Sequence, residues 1–173
     1  MDQEQNKKIE ELAYKVLQLS RNTLLVNLRF MDLALSQFTY KTMQESTLMT
    51  DGQFFLYHPP HVIRSYRSEQ TVPTRDFLHM VMHCILGHMY MSPALNHIYW
   101  DLACDIAVEN IISDLGLPCV DAVRAKGQRE YTEAIRKELN LVTAETIYDY
   151  LVKNKPSEMR MADLRGLFFA DNH

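Results

Sequence analysis

Apolar residues recur at helical spacing along most of the chain. Ile9, Leu12, Ala13, Val16 and Leu17 mark one face of an amphipathic helix over residues 3–20. A second helical stretch, rich in Leu, Met and Phe, follows over about 23–43. The pattern then changes. Thr47 to Thr50, Asp51-Gly52 and Gln53 to Tyr57 read as strand, turn and strand, because both residues of an Asp-Gly pair tolerate positive φ. Pro59-Pro60 ends the second strand and opens a short helix through about Ser68.

The second half reads as helices punctuated by caps. Thr74 is the expected N-cap of a helix running to about Tyr90, ended by Ser92-Pro93. Asn96 caps a helix over about 97–115, closed by Gly116 and Pro118. Residues 117–131 read as a loop. Thr132 and Thr143 cap helices over about 133–140 and 144–154, and the tail after Pro156 holds one more short helix. The predicted class is mainly α (α+β), with a small antiparallel hairpin or sheet in a single domain spanning residues 1–173.

Composition narrows the function. The chain has 173 residues, 47% hydrophobic and 23% charged, which suits a globular domain with a sizeable core. A net charge of −4 gives no reason to expect nucleic acid. The basic residues Arg124, Lys126, Arg129, Arg136 and Lys137 read as a solvated face. The polar start is not a signal peptide, and the longest apolar stretch, 77–91, carries three histidines and is too short to span a bilayer. Membrane contact is therefore not expected. Cys84, Cys104 and Cys119 are odd in number and widely spaced, which implies no disulfide framework and fits a cytoplasmic protein. The five glycines form no dinucleotide fingerprint or P-loop. The ending Phe-Phe-Ala-Asp-Asn-His reads as the cut edge of a longer protein.

Two predicted helices carry chemistry. His79 and His83 stand four residues apart, which puts both rings on one helix face, able to share one zinc ion. One such pair among seven histidines is weak evidence alone. Gly87, one turn further on, lets another element or a ligand approach. His88 falls about 180° from His79 on a continuing helix and reads as structural rather than a ligand. On the next helix Asp101, Asp105 and Glu109 share one quadrant with Ile98, Val108 and Ile112, so that quadrant faces inward. Buried carboxylates need partners. A metal held with the two histidines is one such partner; lysines or arginines on a solvated face are the alternative.

These residues, in this order, resemble a known family. Thr50-Asp51-Gly52, Tyr57-His58-Pro59, His79 to His88, Trp100 to Val108 and Ala144-Glu145-Thr146-Ile147-Tyr148 are similar to a bacterial metallopeptidase domain that precedes a von Willebrand factor A-like domain. The resemblance covers about residues 47–152. It implies a zincin-like fold with the hairpin beside the histidine helix, one zinc ion, and His79, His83 and Asp105 as its ligands. Asp101 is the weaker alternative for the third position. Asp171-Asn172-His173 looks like the start of that family's D-x-H segment, which implies a following von Willebrand factor A-like partner domain.

One position departs from the family. Its H-E-x-x-H glutamate is Met80 here. A thioether cannot take a proton from the attacking water, and general acid–base help is worth typically ~10²–10⁴-fold. The resemblance therefore implies a zinc-binding, metallopeptidase-like pseudoenzyme with proteolysis impaired or absent. It also suggests two roles for the strand Phe54 to Tyr57: simply covering the histidine helix, or pairing with an extended peptide or protein. The other readings are a metal-free structural or interaction domain and a metal-dependent hydrolase using a substitute base, with Glu109, Asp101 and Asp76 nearest.

Overall fold

A computed structural model describes residues 3–45, 47–90 and 92–168. The cut-edge ending and the D-x-H-like segment at 171–173 lie outside the described residues, apart from Phe168. Among the described residues, eight α-helices and one three-stranded sheet form two compact units. Mainly α with a small sheet, as predicted, is the class observed.

The first unit holds α1 (Gln3–Asn27), the short α2 (Asp32–Leu35), β1 (Thr39–Thr42), β2 (Leu48–Thr50), β3 (Phe54–Tyr57), α3 (Pro59–Ser68) and α4 (Val72–Leu86). The first helix runs seven residues beyond the predicted end at 20. The second predicted helix, 23–43, is broken up: the end of α1 takes its start, a 3-10 turn (Arg29–Met31) and α2 follow, and its end is β1. Thr39, Tyr40 and Thr42 are β-branched or aromatic and suit the strand. Periodicity over so few residues could not separate the two states.

β3 is the central strand, with order β1-β3-β2. β2 pairs with it antiparallel, Thr50 opposite Phe55, as the hairpin predicts. β1 pairs parallel, Thr39 opposite Phe54, so the sheet is mixed. The turn differs from the expected two-residue form. Gly52 takes φ 88°, but Asp51 does not have positive φ. Instead its Oδ1 accepts from the backbone N–H of Gln53 at 3.0 Å and of Phe54 at 2.8 Å. Those bonds hold the Asp51 carboxyl below the ordinary carboxylate range.

Phe55 of β3 stacks on Phe77 of α4, with ring centroids 5.1 Å apart, and Phe38 meets both edge-on. This aromatic packing sets the sheet beside the histidine helix. Pro73 through His83 are all buried, so α4 is covered on every side. Arg75 donates from Nη1 to the carbonyl of Val120 at 2.7 Å, which ties the 3-10 turn Pro118–Val120 to this unit. Thr74 is not the N-cap. It lies inside α4, and its hydroxyl donates to Ser20 Oγ at 3.4 Å.

The second unit holds α5 (His97–Asp114), α6 (Arg124–Ile135), α7 (Ala144–Asn154) and α8 (Glu158–Phe168). Its core packs Leu102, Ile106 and Ala107 of α5 with Ile135, Ile147, Leu151, Leu164 and Phe168. Asn96 caps α5 as predicted, its Oδ1 accepting from Tyr99 N at 3.2 Å. Thr143 caps α7, and Thr146 returns the bond to the Thr143 N–H at 3.0 Å. The predicted loop over 117–131 is instead largely the start of α6. Thr132 is not a cap but an interior residue, with its hydroxyl bonded to the Arg129 carbonyl at 3.1 Å.

Candidate metal site

The histidines of α4 converge. His79 Nε2 and His83 Nε2 lie 2.8 Å apart, and neither residue has measurable exposure. The helical spacing alone brings the rings together, with centroids 4.6 Å apart. Two nitrogens sharing a tetrahedral zinc at ~2.0–2.1 Å would stand about 3.3 Å apart. The gap is roughly half an ångström, which a small rotation of either ring supplies.

Behind His83 the chain turns sharply. The helix ends at Leu86, not near Tyr90, and Gly87 adopts φ 69°. The Gly87 N–H donates to the Cys84 carbonyl at 3.3 Å, and the His88 N–H donates to the His83 carbonyl at 3.1 Å. This pair of bonds is the Schellman arrangement, which a residue without Cβ favours. Gly87 thus makes the turn that ends the helix. His88 Nδ1 comes to 3.2 Å from His83 Nδ1, and His88 is itself buried. Treating 74–90 as one unbroken helix hid this contact. The glycine at the end of an apolar run was the available signal.

The acidic residues of α5 divide. Asp105 and Glu109 are buried, as the shared inward face predicted, whereas Asp101 is half-buried. Glu109 accepts from Arg124 Nη2 of α6 at 3.4 Å. Arg136 donates to Asn110 Oδ1 at 2.9 Å and also pairs with Asp114. The expected solvated basic face is therefore partly wrong. Arg124 is half-buried against α5, whereas Arg136 bonds to α5 yet stays exposed, as do Lys126 and Lys137.

His79 and His83 of the first unit and Asp105 of the second offer two imidazoles and one carboxylate. All three residues are buried, and the group could hold a metal ion. Two imidazoles and a carboxylate form a donor set that suits zinc.

Residues 18–165 match the family described as a putative metallopeptidase domain. The chain belongs to that family. No curated protein matches the chain, and no solved structure does. The family match spans both histidines of α4 and the acidic face of α5. Within this metallopeptidase-domain chain, β3 does not offer an edge to an extended peptide. Its two sides are already taken by β1 and β2. The peptide-pairing role expected for Phe54 to Tyr57 is thereby removed. Among the described residues no helix is long and apolar enough to cross a membrane, and Cys84, Cys104 and Cys119 form no disulfide.

Proposed function

We propose that this metallopeptidase-family domain binds one zinc ion through His79, His83 and Asp105, with proteolysis impaired or absent. The observation that carries the reading is the convergence of two buried imidazole nitrogens on α4, 2.8 Å apart, and Asp105 is the buried carboxylate that the reading adds. When bound, zinc supplies Lewis-acid polarisation at the position left open by three protein ligands. The chain's own residues bind and orient it in a water-poor setting. No carboxylate stands at position 80, where Met80 is fully buried. A thioether neither accepts nor returns a proton at neutral pH. Of the substitute bases, Glu109 is already engaged by Arg124. The domain accordingly works as a metal-stabilised scaffold of a cytoplasmic bacterial protein, joined to a von Willebrand factor A-like domain.

Metal analysis of the purified protein tests this directly. Near-stoichiometric zinc is expected, with loss of zinc in His83→Ala. Full retention in that variant removes the ligand assignment. Cleavage of a diverse peptide library by the zinc-loaded protein, abolished by chelator, would show a surviving hydrolase instead.

A second reading has one observation in its favour. The 2.8 Å contact between His79 and His83 satisfies two buried ring nitrogens without any ion. A metal-free interaction domain predicts no bound metal and no change of Tm with chelator.

A further inference from the structure

We propose that His88 is a positioning residue, whose Nδ1 accepts the Nδ1 proton of His83 and so fixes His83 in the tautomer that leaves Nε2 bare. The inference rests on the metal reading above, because a bare Nε2 is what a metal ligand must present.

The geometry comes from the chain turn. On a continuing helix, five residues at about 100° each would set His88 some 140° round from His83. The two rings could not meet. Gly87, at φ 69°, breaks that path. The bond from the His88 N–H to the His83 carbonyl, at 3.1 Å, then pulls residue 88 back over the last turn. The rings end nearly perpendicular, at 75°, with centroids 5.0 Å apart and the two Nδ1 atoms 3.2 Å apart. Backbone and side chain of His88 thus both address His83.

Only one proton fits between two ring nitrogens, so each contact has a direction. If His83 carries its proton on Nδ1, it donates to His88 Nδ1, and His83 Nε2 faces His79 as a lone pair. If His88 donates instead, His83 holds its proton on Nε2, where it blocks a ligand. In the metal-free protein the first arrangement orders the three buried rings, His79 Nε2–H to His83 Nε2 and His83 Nδ1–H to His88 Nδ1, so that a metal has to displace only the Nε2 proton of His79. The partner of a liganding histidine is commonly a carboxylate or carbonyl. Here an imidazole takes that place, supplied by the residue after the cap glycine.

Long-range 1H–15N correlation spectra of the metal-free protein test the tautomer without any substitution. His83 is expected to carry its proton on Nδ1. A proton on Nε2, or on both nitrogens, overturns the proposal. Zinc affinity, measured by competition with a chromophoric chelator, provides the second arm. His88→Leu removes the acceptor and is expected to weaken zinc binding by ~10–100-fold. His88→Asn puts an amide oxygen near the position of Nδ1 and is expected to recover most of that loss. Unchanged affinity and unchanged His83 tautomer in His88→Leu defeat the inference even where the wild-type protein binds zinc. Absence of zinc binding by the wild type, with the Nδ1–H tautomer still dependent on His88, defeats the metal reading alone.

Discussion

The carboxylate of Glu109, a residue with no exposed surface, accepts a hydrogen bond from Arg124 at 3.4 Å across α5 and α6. The contact neutralises one of the two buried acids on α5. Removing the cation leaves the acid in a poorly solvated place, which costs more than the bond itself contributes. Arg124→Met is expected to lower stability by about 1–3 kcal/mol in urea denaturation. A change below about 0.5 kcal/mol would mean that this arginine is an ordinary surface residue.

Asp105 and Asp101 stand one helical turn apart but differ in environment. Asp105 is buried and is the third ligand proposed above, while Asp101 is half-buried. Asp105→Asn is expected to reduce zinc affinity at least tenfold, with Asp101→Asn within a few-fold of wild type. Chelator competition on both variants separates them. The reverse order would move the third ligand to Asp101.

Met80 gives a prediction in the direction of gained activity. Met80→Glu restores a carboxylate between the two histidines. The expected result is chelator-sensitive peptide hydrolysis above the wild-type level, together with a lower Tm from placing an ionisable group at a fully buried site. A folded, zinc-loaded variant with no hydrolysis would show that more than one residue separates this domain from an active peptidase.

Tyr40 of β1 sets an alkaline limit on stability. Burial pushes its hydroxyl up to about 12, opposed in part by the charge of Arg21. Between the ordinary value of 10.0 and about 12, the folded protein keeps a proton that the unfolded chain has lost. Its contribution is therefore fully present below pH 10.0 and is lost as pH rises through about 12. Ultraviolet titration should show one late-ionising tyrosine that Tyr40→Phe removes, and that variant should lose less stability across the same window.

Local signals made much of the fold legible. Asn96 and Thr143 announce α5 and α7 because each side chain bonds backbone N–H groups within three residues. Pro59-Pro60 likewise opens α3. What failed to show depends on distant partners. β1 is a strand because β3 lies beside it, and its short sequence also fits the end of a helix. Thr132 looks like a cap until Arg124 to Tyr131 continue the helix behind it. The histidine pair was visible as a spacing, and Asp105 as part of an inward face. The contact between His88 and His83 needed the left-handed turn at Gly87, which an unbroken helical reading erases.

The central place of β3 has a consequence at the rims of the sheet. The unpaired backbone belongs to β1 and β2. β2 is only three residues long, and β1 carries the exposed Lys41 between Tyr40 and Thr42. Short edge strands and edge lysines discourage other chains from adding themselves to a sheet. By seating its most apolar strand, Phe54–Tyr57, in the middle, the protein keeps its stickiest backbone away from other molecules and shields itself from aggregation.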